Sequence, residues 1–276
     1  MTTGPGVPLR VVVTGKGGVG KTTLTALLAR QLAGAGHRVL AVDADAQMNL
    51  ARTLGFPAAE AAVITPLSHE HDYIEETVGA RPGESGAMLR LNPDVSDAVS
   101  RFGVDGPDHV RLLVMGGLSQ AGGGCLCPEN SLLAAAVAAV GRDDADVVLM
   151  DTQAGVEHFG RALARGFDRP VVVTDSTANA VGVAVRTARL AADLGIPRID
   201  LVVNRVRTPD DAGRASRLVD DEGGFPFAAV HGLPWDDAVL AADPSVDALV
   251  GAGTPFARAA SRLADDWLAM AMEATS

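Results

Sequence analysis

A nine-residue stretch rich in glycine and lysine has the residue types needed to bind a chain of phosphates. Residues 15–23 read G-K-G-G-V-G-K-T-T and fill every fixed position of the pattern G-x-x-x-x-G-K-[ST]. Glycines let successive backbone N–H groups turn toward phosphate oxygens, a lysine adds positive charge, and a hydroxyl group can bind Mg²⁺. The sequence therefore predicts a nucleotide site that consists of Gly15, Lys16, Gly17, Gly18, Val19, Gly20, Lys21, Thr22 and Thr23, with Thr22 on the metal.

The segments on either side have the pattern that such a loop requires. An apolar, β-branched run at residues 9–14 precedes the loop, and residues 22–32 have helical apolar spacing. The loop is therefore expected between a strand and a helix, with its amides at the helix N-terminus. The alternative, a glycine-rich turn that binds nothing, is disfavoured by both flanks.

Two later segments place carboxylates at the ends of predicted strands. Residues 38–43 predict a strand that leads into Asp43 and Asp45, and residues 145–151 predict a strand that ends in Asp151. Ligands of open parallel sheets bind at the carboxyl ends of the strands, so these acids are expected beside the loop. We predict that Asp151 holds Mg²⁺ through its water shell. Helix capping is the alternative role for all three aspartates.

The only two cysteines, Cys125 and Cys127, follow three glycines and are separated by one residue. A disulfide across this spacing has poor geometry, and in a cytosolic chain such a pair indicates metal or redox chemistry. Two thiolates are too few for a closed soft-metal site, but a twofold axis would supply four. Four thiolates suit Ni²⁺, Zn²⁺ or an iron–sulfur cluster. The alternative is that both side chains are small buried hydrophobic groups.

Residues 55–110 show no sustained periodicity, and we expect loops and short helices over one end of the sheet. Within them, His69-Glu70-His71-Asp72 has side chains that can bind metals. We expect an exposed polar loop at residues 68–73 rather than a metal site.

Length and composition predict one cytoplasmic α/β domain over residues 1–276, with residues 1–8 as a flexible leader. The chain is 47% hydrophobic and 4% aromatic, which suits a mostly parallel sheet of about seven strands with helices on both faces. The net charge of −11 argues against a broad surface for nucleic acid or anionic lipid. No run of about 20 apolar residues could span a bilayer. We therefore expect no nucleic acid and no membrane among the partners.

Further strands are predicted at 111–115, 171–174, 201–203 and 227–231, and further helices at 131–140, 180–194 and 255–272.

Four motifs together resemble one family of ATPases. G-K-G-G-V-G-K-T, V-D-A-D, G-C-L-C-P-E-N and A-G-V-E-H-F-G-R are similar to the CooC-type nickel-insertion ATPases, which are accessory proteins of carbon monoxide dehydrogenase. That family lies within the deviant Walker A class of P-loop ATPases, with MinD, ParA and the nitrogenase iron protein. The resemblance implies a MinD-like P-loop fold and hydrolysis of ATP to ADP and phosphate with Mg²⁺. Gln153 stands where the family usually carries glutamate.

The resemblance also implies roles for individual residues. Lys16 would reach across a nucleotide-bound homodimer to the partner's phosphates, and Asp45 would position the attacking water. Gly155 would sense the γ-phosphate, and Asn204 would hydrogen-bond the adenine edge. A solvated surface lysine and a turn asparagine are the alternatives for Lys16 and Asn204. The predicted catalytic residues are Lys16, Lys21, Asp45 and Asp151.

The predicted function is an ATP-dependent metallochaperone. It would dimerise with nucleotide and bind Ni²⁺ or Zn²⁺ between two Cys-x-Cys pairs, for maturation of carbon monoxide dehydrogenase or a related metalloenzyme. Two alternatives stay open. A partitioning switch like ParA or MinD would need a surface for DNA or membrane, and residues 263–272 combine an apolar face with acidic residues. An iron–sulfur scaffold or reductase would draw its ligands from other cysteine spacings.

Overall fold

A computed structural model of the chain describes residues 9–81, 90, 93–116, 127–140, 145–153, 167, 169–196 and 198–273, without the side chains of residues 127–130. The leader at residues 1–8 lies outside this range, and the single-domain organisation stays a prediction. The strands are β1 (Leu9–Gly15), β2 (Val39–Ala44), β3 (Val104–Asp105), β4 (Arg111–Val114), β5 (Val147–Thr152), β6 (Arg169–Thr174), β7 (Asp200–Val206) and β8 (Ala229–Pro234).

One sheet contains all eight of these strands, in the order β3-β4-β2-β5-β1-β6-β7-β8. Every neighbouring pair is parallel except β3 and β4. The mostly parallel α/β class expected from the sequence is confirmed. The strand that the sequence did not predict is β3, because two residues at a sheet edge carry no readable periodicity.

Helices cover both faces of the sheet. The helices of the described residues are α1 (Lys21–Gly34), α2 (Leu50–Leu54), α3 (Ala58–Ala61), α4 (His71–Val78), α5 (Ala98–Phe102), α6 (Cys127–Val140), α7 (Ala178–Asp193), α8 (Pro209–Asp221), α9 (Asp237–Ala242) and α10 (Pro255–Glu273), with 3₁₀ turns at Leu67–His69 and Pro107–His109.

Alternate residues of the central strand β1 enter two separate cores. Val11 and Val13 pack with α1 and α10, whereas Val12 packs with α4, α6 and α7. Because both faces are covered, the central strands are apolar at successive positions rather than at every second one. None of the helices in the described ranges is long and apolar enough to cross a membrane.

The expectation of an exposed polar loop at residues 68–73 is wrong. Ser68 and Tyr73 are buried, and α4 begins at His71. The physical reason is an apolar face on α4, where Tyr73, Ile74 and Val78 are buried while His69, His71 and Asp72 are exposed. The other described residues of 55–110 form short helices and turns, as expected, together with the short strand β3.

Arg30 ties α1 to two distant segments. This arginine is only 8% exposed and donates hydrogen bonds to the Leu54 carbonyl at 2.6 Å and to Asp247 Oδ1 at 2.6 Å, and a third to Asp108. Hydrogen bonds from a guanidinium group to carboxylates are among the stronger ones in proteins. The helix that follows the glycine-rich loop is therefore held in its C-terminal half by the hydrogen bonds of one arginine.

A buried aspartate holds α10 against the sheet. Asp200, the first residue of β7, is fully buried and accepts hydrogen bonds from Arg169 at 2.7 Å and from Trp267 Nε1 at 3.0 Å. This cluster lies at the amino ends of β6 and β7, so it stabilises the end of the sheet opposite to the glycine-rich loop.

Candidate functional site

The glycine-rich loop joins β1 to α1 at the carboxyl edge of the sheet, as predicted. At Gly15, with φ 139°, an added Cβ would lie 2.1 Å from the Val173 carbonyl oxygen, so β1 can approach β6 this closely only with glycine. At Gly17 and Gly18 an added Cβ would meet nothing within 4 Å. One side of the loop is therefore packed against the sheet, and the other side is open to a cleft that both of these glycines line.

Lys21 and Thr22 begin α1 and direct their side chains toward other residues of the site. The Lys21 ammonium group donates to the Lys16 carbonyl at 3.2 Å, and the Thr22 hydroxyl donates to Asp151 Oδ2 at 2.6 Å. Burial lowers the pKa of Lys21, while the charges of Asp151 and Asp45 oppose this lowering. The loop thus brings one cation and one hydroxyl group to the carboxyl end of β5.

Asp151 fits the predicted magnesium-binding role. It is 1% exposed, and burial raises its pKa to about 6. Its Oδ2 accepts from Thr22, but its buried Oδ1 has no hydrogen-bond partner in the described part of the chain. A buried carboxylate oxygen without a partner, next to a threonine hydroxyl, suits a hard cation with oxygen ligands. Thr22 and Asp151 are therefore the residues that would hold the Mg²⁺ of a nucleotide.

Asp43 lies opposite Asp151 in the register of β2 and β5 and shapes the loop that follows β2. Its Oδ1 accepts from the Asp45 N–H at 3.1 Å and its Oδ2 from the Leu50 N–H at 2.9 Å. Burial, together with the charge of Asp151, raises the pKa of Asp43 to about 7. One carboxylate thus holds both ends of residues 45–50.

Helix capping, the alternative role for these aspartates, fits Asp43 but not Asp45. Leu50 is the first residue of α2, so Asp43 does accept from a helix N-terminus. Asp45 instead accepts from the Gln47 N–H at 2.9 Å, is partly exposed and lines the cleft. Asp45 is therefore placed where it can face a bound ligand, and its role with water stays a prediction.

The cleft, of about 500 Å³, extends from the loop to the carboxyl ends of β7 and β8. Trp235 forms part of its far wall, together with Leu240. The Arg207 guanidinium lies 4.1 Å from the Trp235 ring centroid, and the indole N–H donates to Asp237 at 3.0 Å. An aromatic ring held in place beside apolar side chains suits a flat purine base. The sequence analysis missed Trp235, although an aromatic residue four positions after the last predicted strand was the available signal.

Asn204 lines the same cleft and is only 7% exposed. Its Nδ2 donates to the Val19 carbonyl at 2.7 Å, and its Oδ1 accepts from the Arg205 N–H at 2.8 Å. The asparagine therefore joins β7 to the glycine-rich loop, a contact that the sequence analysis missed. Its hydrogen bond with the adenine edge stays a prediction.

Several predicted residues are not brought into the site by the described part of the structure. Gly155 and Cys125 lie outside the described residues, and Cys127 begins α6 but its side chain is not described. Lys16 is partly exposed, and its role across a dimer stays a prediction. Within the described ranges no group of three or more His, Cys, Asp or Glu side chains is arranged to hold a metal.

A strand, a glycine-rich loop and a helix, with a buried aspartate at the end of the neighbouring parallel strand, define a P-loop nucleotide-binding protein. The chain belongs to the CobQ/CobB/MinD/ParA nucleotide-binding domain family, which it matches over residues 10–245. This membership agrees with the resemblance found in the sequence motifs.

Two relatives by sequence and one solved structure show which members of this family the chain is similar to. The chain is 37% identical over 235 residues to the carbon monoxide dehydrogenase accessory protein CooC of Rhodospirillum rubrum, covering 85% of this chain and 87% of that protein. It is 35% identical over 232 residues to an uncharacterised ATP-binding protein of Methanocaldococcus jannaschii, covering 84% of this chain and 87% of that protein. The solved structure of MinD with Mg-ADP from Pyrococcus horikoshii OT3 has a similar fold, with a TM-score of 0.61, 19% identity and coverage of 94% and 95%. The predicted family resemblance and the enzyme class, an ATPase, are confirmed.

Proposed function

We propose that this chain is an ATP-hydrolysing metallochaperone that forms a nucleotide-bound homodimer and carries Ni²⁺ for the maturation of carbon monoxide dehydrogenase or a related metalloenzyme. The proposed binding of Mg-ATP rests on one observation: beside the glycine-rich loop, Thr22 donates to the buried Asp151, whose other carboxylate oxygen has no partner in the described part of the chain. The client class is supported by the Cys-x-Cys-Pro-Glu-Asn motif and by the 37% identity to the Rhodospirillum rubrum accessory protein.

The nucleotide would bind with its phosphates at the loop and its base in the cleft. Loop amides and Lys21 would bind the phosphate oxygens, and Thr22 and Asp151 would hold Mg²⁺, which neutralises charge on those oxygens. The base would lie against Trp235, whose ring is held by Arg207. Hydrolysis then requires only that a water molecule be positioned, and Asp45 at the edge of the cleft is the proposed group.

Nickel is the proposed cargo, and Cys125 and Cys127 are its proposed ligands. Cysteine binds metal ions as the thiolate, and helix α6 begins at Cys127. Two chains related by a twofold axis would supply four thiolates, a ligand set that suits a soft cation. Closure of the dimer through Lys16 would couple the nucleotide state to this shared site, and hydrolysis would reopen it.

The cargo part is tested by equilibrium binding of Ni²⁺ to wild type and to the Cys125→Ser/Cys127→Ser variant, with and without Mg-ADP or Mg-ATP. We expect about one Ni²⁺ per two chains in wild type and loss of this binding in the variant. The variant should still bind Mg-ADP, which serves as its folding control. Nickel binding that survives the double substitution would contradict a shared thiolate site.

The ATPase part is tested separately with Lys21→Ala. Loss of the Lys21 ammonium group should abolish ATP hydrolysis, because it removes the positive charge that would stabilise the phosphate oxygens in the transition state. Wild-type turnover in Lys21→Ala would contradict the proposed site. Lys16→Ala is expected to keep Mg-ADP binding and to lose nucleotide-dependent dimerisation, measured by light scattering after gel filtration.

A further inference from the structure

Two adjacent residues near the end of β7 each hold one carbonyl group of the glycine-rich loop. The Asn204 amide donates to the Val19 carbonyl at 2.7 Å, and Arg205 Nη2 donates to the Gly18 carbonyl at 2.7 Å. The two residues are also joined to each other, because Asn204 Oδ1 accepts from the Arg205 N–H at 2.8 Å. Two consecutive carbonyls of the loop are therefore held by two adjacent residues of β7, which is separated from β1 by β6.

Fixing these carbonyls also fixes two N–H groups. In a trans peptide the C=O and N–H bonds point in opposite directions. The Gly18 carbonyl shares its peptide plane with the Val19 N–H, and the Val19 carbonyl shares its plane with the Gly20 N–H. When both carbonyls are held toward β7, both N–H groups are aimed to the other side, which in a phosphate-binding loop is the side of the phosphate oxygens.

The backbone around Arg205 has an unusual conformation. Its φ is 61°, a left-handed value that is uncommon for a residue with a side chain. The register of β7 and β8 shifts between Val203 and Val206, and such irregularities redirect side chains in a sheet. The approach to the loop is also close, since an added Cβ on Gly20 would lie 2.5 Å from Asn204 Nδ2. Residues with strained backbone conformations of this kind cluster at functional sites.

We propose that Arg205 is a positioning residue for the phosphate chain of the nucleotide. Its guanidinium fixes the Gly18 peptide, so that the Val19 N–H is already aimed at a phosphate oxygen before the nucleotide binds. Preorganised donors bind more tightly because less ordering is needed on binding. This role rests on the proposed nucleotide binding, and it applies to diphosphate and triphosphate nucleotides alike.

The test compares Mg-ADP affinity in wild type, Arg205→Gly and Arg217→Ala by calorimetry. Glycine adopts a positive φ without strain, so Arg205→Gly removes the guanidinium without forcing the backbone to change. We expect Arg205→Gly to bind Mg-ADP about five- to tenfold more weakly, with an unchanged or higher thermal midpoint in the nucleotide-free protein. Arg217→Ala, which removes the same charge from an exposed position on α8, should bind Mg-ADP like wild type.

Two further readouts separate positioning from a charge effect. The difference between wild type and Arg205→Gly should persist from about 0.05 M to about 0.5 M salt, whereas a charge effect would be screened. In ¹⁵N-labelled, nucleotide-free protein, the amide signal of Val19 should shift in Arg205→Gly and stay in place in Arg217→Ala.

Affinity of Arg205→Gly within twofold of wild type, or a difference that vanishes at high salt, would overturn the proposal. Unchanged Mg-ADP affinity with lost hydrolysis would also overturn it, because the guanidinium would then act on the transition state directly. A wild-type protein that binds no Mg-ADP would overturn the proposed function and this proposal with it. Wild-type binding with an unaffected Arg205→Gly variant would overturn only the role of Arg205.

Discussion

Replacement of Asp43 by asparagine tests whether a buried carboxylate destabilises the nucleotide-free protein near neutral pH. Burial, together with Asp151, raises the pKa of Asp43 from 3.8 to about 7. Between these values the folded protein keeps a proton that the unfolded chain has released. Since the folded state then binds more protons, its free energy of unfolding falls as the pH rises from about 4 to about 7, and is constant above that.

The size of this effect follows from the pKa change. A pKa of about 7 in place of 3.8 corresponds to about 4 kcal/mol once the group is ionised in both states. That is a large part of the roughly 5–15 kcal/mol by which a folded domain is usually stable. Ionisation of Asp151, whose pKa is raised to about 6, also lowers the free energy of unfolding as the pH rises, over a narrower range of pH.

Asparagine resembles the protonated carboxyl group in shape and carries no charge. Its amide can accept only one of the two backbone hydrogen bonds that Asp43 accepts, so Asp43→Asn should be less stable than wild type near about pH 4.5. Because wild type alone pays for ionising Asp43 as the pH rises, the free energy of unfolding of the variant should gain about 3 kcal/mol relative to wild type by about pH 7.5. The assay is urea unfolding of protein free of Mg²⁺ and nucleotide across this range. Asp220→Asn, which removes a charge from an exposed position on α8, should follow the wild-type curve.

Aspartates with lowered pKa values, such as Asp200 and Asp247, do not disturb this measurement. Their stabilising contributions are lost as the pH falls through their lowered pKa values, which lies below the range measured. Parallel curves for wild type and Asp43→Asn from about pH 4.5 to about pH 7.5 would refute the reasoning, because the buried carboxylate would then have an ordinary pKa.

Three further outcomes are expected. Gly15→Ala should lose the fold, seen as loss of cooperative thermal unfolding, since its Cβ would lie 2.1 Å from the Val173 carbonyl oxygen; a stable variant would contradict this packing. Arg30→Met should lower the free energy of unfolding by about 2–4 kcal/mol in urea titrations, because three hydrogen bonds from a buried guanidinium are lost, and a change below about 1 kcal/mol would contradict their importance. Mg-ADP should change the tryptophan fluorescence of wild type but not of Trp235→Phe, because the remaining Trp267 is buried at the other end of the sheet; a full response in the variant would remove Trp235 from the site.

The local features of the nucleotide site could be predicted from the sequence alone. Residues 15–23 specify the loop through residue type and spacing, and the apolar runs of β1, β2 and β5 are recognisable because their strands are buried on both faces. Asp45 and Asp151 were predicted in the site because each follows such a run. These signals are short in range, so neither strand order nor tertiary packing is needed to detect them.

The contacts that complete the site were decided by the tertiary structure. Thr22 and Asp151 are 129 residues apart, and Asn204 and Val19 are 185 residues apart. They meet because β1 lies between β5 and β6, with β7 next to β6, an order that no local pattern specifies. The hydrogen bond from Arg205 to the Gly18 carbonyl arises in the same way, whereas the two hydrogen bonds that Asp43 accepts span only two and seven residues. Sequence determined which groups can do chemistry, and strand order, which depends on burying both faces of the sheet at once, determined which of them touch.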